Sequence, residues 1–245
     1  MEAIVLYDVS KIHPTPWNPN TWKTRFALNM KRLKFTTEWV EYPDIESTLK
    51  KLGAPPTGKT SDGRDYYTLP TIFDPNTKKV VTDSVVIAKY LDETYPDDVK
   101  LIPAGTDAFQ EMFHEFIWMN VGIPLMASGF VDALGVMDAR SGEYFRVTRE
   151  RMFGKKFEEF GEAEWQKVEA GLGALKRYLE ANGKGDDLLL MGPQVGITHS
   201  DLQFAGMLAC GKDVWGENSE QWKRLMGFHG GKWSRYYAQF IKFEK

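Results

Sequence analysis

A proline set directly ahead of an apolar strand constrains this chain more than any other feature. It lies in Tyr66-Tyr67-Thr68-Leu69-Pro70-Thr71-Ile72-Phe73-Asp74. A Pro75-Asn76 turn joins this stretch to a second apolar run and a helix, Val80-Val81-Thr82-Asp83-Ser84-Val85-Val86-Ile87-Ala88-Lys89-Tyr90-Leu91. Proline cannot donate to a β-ladder, so Pro70 belongs at an edge or a tight turn. Two readings stand. A trans bond makes it an ordinary edge proline. A cis bond reverses the chain and turns the N–H and C=O of Leu69 outward, where they can pair with an extended peptide as an added strand would. Asp83-Ser84 then opens the helix. Either residue can cap it. A helix N-terminus also attracts a carboxylate, at roughly 0.3–1 kcal/mol for an exposed site, and Asp83 can meet an ammonium. Plain capping and a ligand site both remain open. Together, a backbone clamp and a carboxylate-plus-ammonium site describe a pocket for an amino-acid-headed peptide.

The bulk of the chain narrows the classes of partner. At 245 residues it can hold one large or two modest domains. A net charge of −3 and a pI near 5.9 leave no nucleic-acid footprint. The N-terminus carries an early acid before a short apolar run, so Ala3 to Tyr7 reads as a strand and not as a signal peptide. No apolar run is long enough to span a membrane. The single cysteine, Cys210, excludes a Cys-based metal cluster and a Cys-x-x-Cys redox site, and it fits a reduced, cytoplasmic setting. His13, His114, His199 and His229 show no metal-ligand spacing, so no metal is expected.

Local patterns give the element order. After the first strand comes a proline-rich loop, Asp8 to Pro19, with Trp17 in it. A helix follows over Asn20 to Lys31, with Trp22, Phe26 and Met30 on one face. Phe35 to Tyr42 reads as a second strand, Pro43 to Leu52 as a short helix, and Gly53 to Asp65 as a polar loop. The Leu-Pro strand pair and the Ser84 helix follow, ended by Pro96-Asp97-Asp98. This order predicts a mixed sheet with helices on both faces. From Asp107 on the pattern is all helical. A long helix starts near Phe109, with Pro124 and Gly129 as kink points. A second is expected over Tyr144 to Phe160 and a third over Glu162 to Ala181. Thr198 and Asp201 then have capping-box spacing, with Ile197 and Leu202 placed as a hydrophobic staple ahead of a buried helix.

The arrangement Leu-Pro, strand, hairpin, strand, Asp-Ser, helix resembles the thioredoxin-like domain of the glutathione transferases, and the late capping box resembles a hallmark of their helical domain. Pro16-Trp17-Asn18-Pro19-Asn20-Thr21-Trp22-Lys23-Thr24-Arg25, with Glu38-Trp39-Val40-Glu41-Tyr42-Pro43-Asp44-Ile45, is similar to the fungal-specific class A (Fua) enzymes, themselves related to bacterial lignin β-etherases. The resemblance implies an α/β thioredoxin-like domain over residues 1–96, a linker over 97–106 and an all-α domain over 107–245. It implies a homodimer with glutathione as cosubstrate. Thr68, Leu69 and Pro70 would meet its cysteinyl backbone, Asp83 and Ser84 its γ-glutamyl end, and Lys51 or Lys50 its glycine carboxylate. Trp22 fills a position that touches glutathione in the class.

In Ser- and Cys-type members the catalytic residue falls at the position Asn18 occupies, so here the expected Ser is an Asn. A free thiol titrates near ~8.5. A hydrogen bond to a charged group contributes about 1.5–3 kcal/mol, so one donor lowers a thiol by roughly one to two units. The Asn18 side-chain NH₂ is such a donor, although it cannot act as a nucleophile. Its other reading is a turn residue before Pro19. Trp17 is expected to form a wall of a hydrophobic site. Two functions follow. One is an enzyme transferring glutathione to electrophilic aromatic or isothiocyanate-like compounds. The other is a ligandin-like binding module for small aromatic and phenolic compounds.

Overall fold

The computed structural model describes residues 1–60, 62–97, 99–183 and 189–245, so Asp98 of the expected helix stop lies outside the described residues. The first half runs β1 (Ile4–Val9), α1 (Pro19–Met30), β2 (Phe35–Val40), α2 (Ile45–Leu52), β3 (Gly58–Lys59), β4 (Asp65–Tyr66), β5 (Thr71–Asp74), β6 (Lys79–Thr82) and α3 (Ser84–Thr94). The main sheet has the order β2-β1-β5-β6. β1 and β2 are parallel, in register from Ile4 opposite Phe35 to Val9 opposite Val40, and β5 runs antiparallel to both β1 and β6. Parallel neighbours need a crossover, and α1 supplies it. Ile4, Leu6 and Ile72 bury against Phe26, Leu28, Ile87 and Leu91, so α1 and α3 cover one face.

Two expectations in this half change. β2 stops at Val40 because Pro43 turns the chain into a 3-10 turn over Tyr42–Asp44. The polar loop after α2 holds the small β3–β4 hairpin, whose strands are two exposed residues each. So short and polar a pair has no alternation to read.

The second half is helical: α4 (Asp107–Ile117), α5 (Ile123–Ser128), α6 (Phe130–Leu134), α7 (Ala139–Phe153), α8 (Glu162–Glu180), α9 (His199–Trp215) and α10 (Glu220–Ala238). The expected long helix is broken near both kink points. A π-turn over Trp118–Gly122 leads into α5, where Pro124 takes a first-turn position, and Gly129 separates α5 from α6. α7 begins and ends earlier than expected. Asp138 caps it through the Ser141 N–H at 2.9 Å, and Gly154, at φ 64°, closes it. The segment read as a linker is packed: Leu101 is fully buried and its C=O accepts the His199 N–H at 2.7 Å.

The late capping box forms. Asp201 Oδ2 accepts the Thr198 N–H at 2.9 Å, and Oδ1 accepts from Leu190 N–H and Tyr236 Oη–H, each at 3.0 Å. α9 lies against α1 so closely that a Cβ on Gly206 would stand 2.7 Å from the Pro19 C=O. A second apolar cluster joins the two halves. Trp17, Tyr42, Leu49 and Leu69 pack with Phe130, Phe145 and Phe157. Among the described residues no helix is long and apolar enough to cross a membrane.

Candidate functional site

In an open sheet the chain leaves a natural crevice beyond the carboxyl ends of its parallel strands. Beyond β1 that position holds Trp17 and Asn18; beyond β2 it holds Tyr42. Asn18 is the N-cap of α1. Its Oδ1 accepts the N–H groups of Asn20 at 2.9 Å and Thr21 at 3.4 Å. With the oxygen fixed on those donors, the NH₂ faces the other way and donates to Tyr42 Oη at 3.0 Å. One Asn18 N–H and the Tyr42 O–H have no acceptor among the described residues. Burial pushes the Tyr42 phenol up to about 12, so it stays a neutral donor at physiological pH. Both residues are buried and line one cavity of about 450 Å³.

Leu69 and Thr68 line the same cavity. The Leu69–Pro70 peptide is cis, which decides between the two readings of that proline. Leu69 is buried, yet among the described residues its main-chain N–H and C=O make no hydrogen bond. A buried main-chain pair is normally satisfied, so these two groups are free for an extended ligand. Thr68 donates its hydroxyl to Thr57 Oγ1 at 2.9 Å. Trp17 is in the wall; its indole N–H is tied to the Val9 C=O at 3.1 Å and its ring meets Tyr42 edge-on. The helical half closes the far side with Phe130, Phe145, Arg149, Met207 and Trp215. Cys210 also lines it, but burial raises its thiol far above the usual range, which makes it a poor nucleophile.

The other expected residues lie outside this wall. Asp83 is exposed at the start of α3, at φ 75°, and its Oδ1 accepts the Val85 and Val86 N–H groups at 2.8 and 3.2 Å. Ser84 is buried beside it. Pro70 follows Leu69 and immediately precedes β5. Trp22 turns into the interior between α1 and α9, where its indole N–H donates to Asp213 Oδ2 at 2.7 Å and its ring packs on Phe26. Lys50 is committed to Glu46 at 2.7 Å, whereas Lys51 is exposed at the end of α2 with no ion pair among the described residues.

Three residues had no place in the sequence reading of the site. Tyr42 read as the end of a strand, although its position just past a parallel strand was a legible signal. Arg149 sits mid-helix among other charges, and nothing local sets it apart. Lys23 is buried in α1, donates to Asn20 Oδ1 at 2.9 Å and is pushed down to about 8 by burial, with the Asp83 charge partly offsetting this. Its burial required knowing that α9 lies over it. Among the described residues no group of three or more His, Cys, Asp or Glu is arranged to hold a metal ion.

Comparison with known proteins gives a consistent set of likenesses. The family model for the glutathione S-transferase N-terminal domain matches residues 17–94, and that for the C-terminal domain matches residues 108–243. The solved structure of glutathione transferase GSTFuA2 from Phanerochaete chrysosporium is 56% identical, with a TM-score of 0.96 over 100% of this chain and 99% of that one. CsGST63524 of Ceriporiopsis subvermispora, a glutathione S-transferase solved in complex with glutathione, is 38% identical, with a TM-score of 0.92 over 100% of this chain and 98% of that one. The glutathione S-transferase-like protein ustS of Aspergillus flavus is 32% identical over 176 residues, which is 67% of this chain and 60% of that relative's length.

Proposed function

The chain belongs to the glutathione transferase family, and from that premise we propose that it binds glutathione across Leu69, Asp83 and Asn18 and transfers it to small electrophilic aromatic compounds. The observation that carries this reading is that one cavity is lined by two uncommitted donors, Asn18 Nδ2–H and Tyr42 Oη–H, and by Leu69, whose main chain makes no hydrogen bond among the described residues. Bound there, glutathione supplies a sulfur nucleophile. Leu69 would hold its cysteinyl main chain with one N–H and one C=O. Asp83, with Oδ2 free of the helix cap, would take the γ-glutamyl ammonium, and the α3 N-terminus, with the buried Lys23 ammonium nearby, the γ-glutamyl carboxylate. Lys51 is the better placed of the two lysines for the glycine carboxylate, because Lys50 is engaged by Glu46.

Asn18 and Tyr42 would then stabilise a thiolate without accepting its proton, which leaves to solvent. Two donors to a charged acceptor, at about 1.5–3 kcal/mol for one, suffice to lower a thiol by more than one pH unit. In this reading residues 1–96 hold glutathione and residues 107–245 roof the second substrate. Family membership supports a homodimer as the working form, and the single cysteine supports a cytoplasmic setting.

A second reading has its own support. No base or nucleophile replaces the expected Ser, and aromatic rings, among them Trp17, Tyr42, Phe130, Phe145 and Trp215, line part of the cavity, which suits a ligandin-type store for aromatic or phenolic compounds. One titration separates the two. Near-ultraviolet absorbance of the thiolate is followed against pH in the glutathione complex. Transfer requires bound glutathione to ionise at least about one unit below the free thiol. Binding as an unshifted thiol makes the protein a store. No binding at all removes the assigned roles of Leu69 and Asp83.

A further inference from the structure

Among the described residues four charged side chains line the cavity: Glu46, Arg64, Asp65 and Arg149. Three have ion-pair partners. Glu46 accepts from Lys50 at 2.7 Å, Arg64 pairs with Asp62 at 2.9 Å, and Asp65 with Lys59 at 2.5 Å. Arg149 has none among the described residues. Along α7, Arg140 is held by Asp44 and Glu41, and Arg146 by Glu150 and Glu158, while Arg151, which also has no ion pair among the described residues, is exposed and does not line the cavity. The only side-chain hydrogen bond of Arg149 among the described residues is to Thr148 Oγ1 at 3.0 Å. Its guanidinium lies over the Phe145 ring at 4.8 Å and the Tyr42 ring at 5.4 Å. Those rings hold a half-buried cation through its face. Most of its five N–H donors remain uncommitted.

We propose that Arg149 recognises a carboxylate on the second ligand, so that the cavity selects flat aromatic acids. The guanidinium fork matches a carboxylate with two parallel hydrogen bonds. Phe130, Phe145 and Tyr42 supply ring surface beside it. The Tyr42 ring lies under Arg149 and its hydroxyl meets Asn18, so an aryl carboxylate held by Arg149 lies next to the position assigned to the thiol. A phenol fits less well: it is mostly neutral near pH 7 and offers one oxygen. The assignment rests on the glutathione-transferase reading in one respect, that glutathione and the aromatic acid share this cavity.

The test uses 2-naphthoate and its neutral isostere 2-naphthamide, with titration calorimetry on the wild type, Arg149→Met and Arg149→Lys, each with and without saturating glutathione. The wild type is expected to prefer the acid by about tenfold or more, as befits a hydrogen-bonded charge. Arg149→Met should abolish that preference while changing naphthamide binding little. Arg149→Lys, which keeps the charge without the fork, should fall between. Equal binding of acid and amide to the wild type overturns the proposal, as does an equal loss of both in Arg149→Met. It is also overturned if glutathione displaces naphthoate and Arg149→Met weakens glutathione by the same factor, because Arg149 then serves glutathione and the transferase reading stands. If glutathione fails to bind the wild type while the acid preference holds, the transferase reading falls and the Arg149 site remains. Should Arg149→Met not fold, the wild-type preference and the Arg149→Lys series decide.

Discussion

Asn18 does two jobs with the two ends of one amide, and the ends can be separated by substitution. The oxygen caps α1, and the nitrogen donates to Tyr42 and keeps one N–H for the cavity. Asn18→Ala removes both, so it should cost about 1 kcal/mol of stability and raise the bound thiol by roughly one to two units. Asn18→Asp keeps a capping oxygen, which a helix N-terminus favours, but has no donor and sets a negative charge beside the thiol. It should be less destabilised than Asn18→Ala and yet show at least as large a rise in the thiol titration. Tyr42→Phe leaves the cap untouched and should raise the thiol by a smaller step. Denaturant titration reads the first quantity and thiolate absorbance the second. A bound thiol in Asn18→Asp that titrates as in the wild type would place the donor elsewhere, with Asn20 and Thr21 as the nearest alternatives.

At the scale of elements, the site depends on how closely α9 can approach α1. The contact uses the bare backbone of Gly206, since a Cβ there would stand 2.7 Å from the Pro19 C=O, one residue from Asn18. Gly206→Ala should therefore cost about 1–3 kcal/mol as an overpacked contact and should also weaken thiol ionisation, because relieving the clash moves the α1 N-terminus. Gly227→Ala is the control. It lies on α10 with nothing within 4 Å of the added methyl, so it should be neutral or stabilising by up to about 1 kcal/mol, with an unchanged thiol titration. Equal behaviour of the two variants would mean that α1 is not held by this contact. The same scale shows what the sequence could and could not say. Elements with a strong period or a full cap, such as β1, α1, α8 and the Thr198 box, were legible in the residues themselves. The β3–β4 hairpin was not, since it is too short and polar to carry a pattern. α7 was misplaced because the helix was extended past Gly154, where the left-handed backbone ends it. The site divided in the same way. Leu69 follows from motif order, Asn18 from the family resemblance and Trp17 from its place beside Asn18, whereas Tyr42, Lys23 and Arg149 gain their meaning only from residues brought over them by distant helices.

Across the whole molecule, two buried groups give stability opposite dependences on acid. His199 is held down to about 3, chiefly by burial with the Lys23 and His114 charges adding to it. Its folded value lies below the ordinary 6.5, so the native state carries no penalty above pH 6.5. As pH falls from 6.5 towards 3, the unfolded chain takes a proton that the native chain refuses, and stability drops by up to about 1.4 kcal/mol per pH unit. Asp213 is raised to about 6, chiefly by burial, while its hydrogen bond from Trp22 pulls the other way. The native state there takes its proton before the unfolded chain does, so this group adds stability as pH falls from 6 towards 3.8. The two contributions oppose each other across that window, and the wild type should show a shallower acid profile than His199 alone would give. Chemical denaturation at a series of pH values resolves them. His199→Gln should gain on the wild type by about 1.4 kcal/mol for each unit below pH 6.5. Asp213→Asn, whose amide oxygen can still accept from Trp22, should lose ground to the wild type as pH falls from 6 to 3.8 and keep a constant difference from it above pH 6. If the His199→Gln difference stays flat from pH 7 to 4, His199 is not the group that refuses the proton.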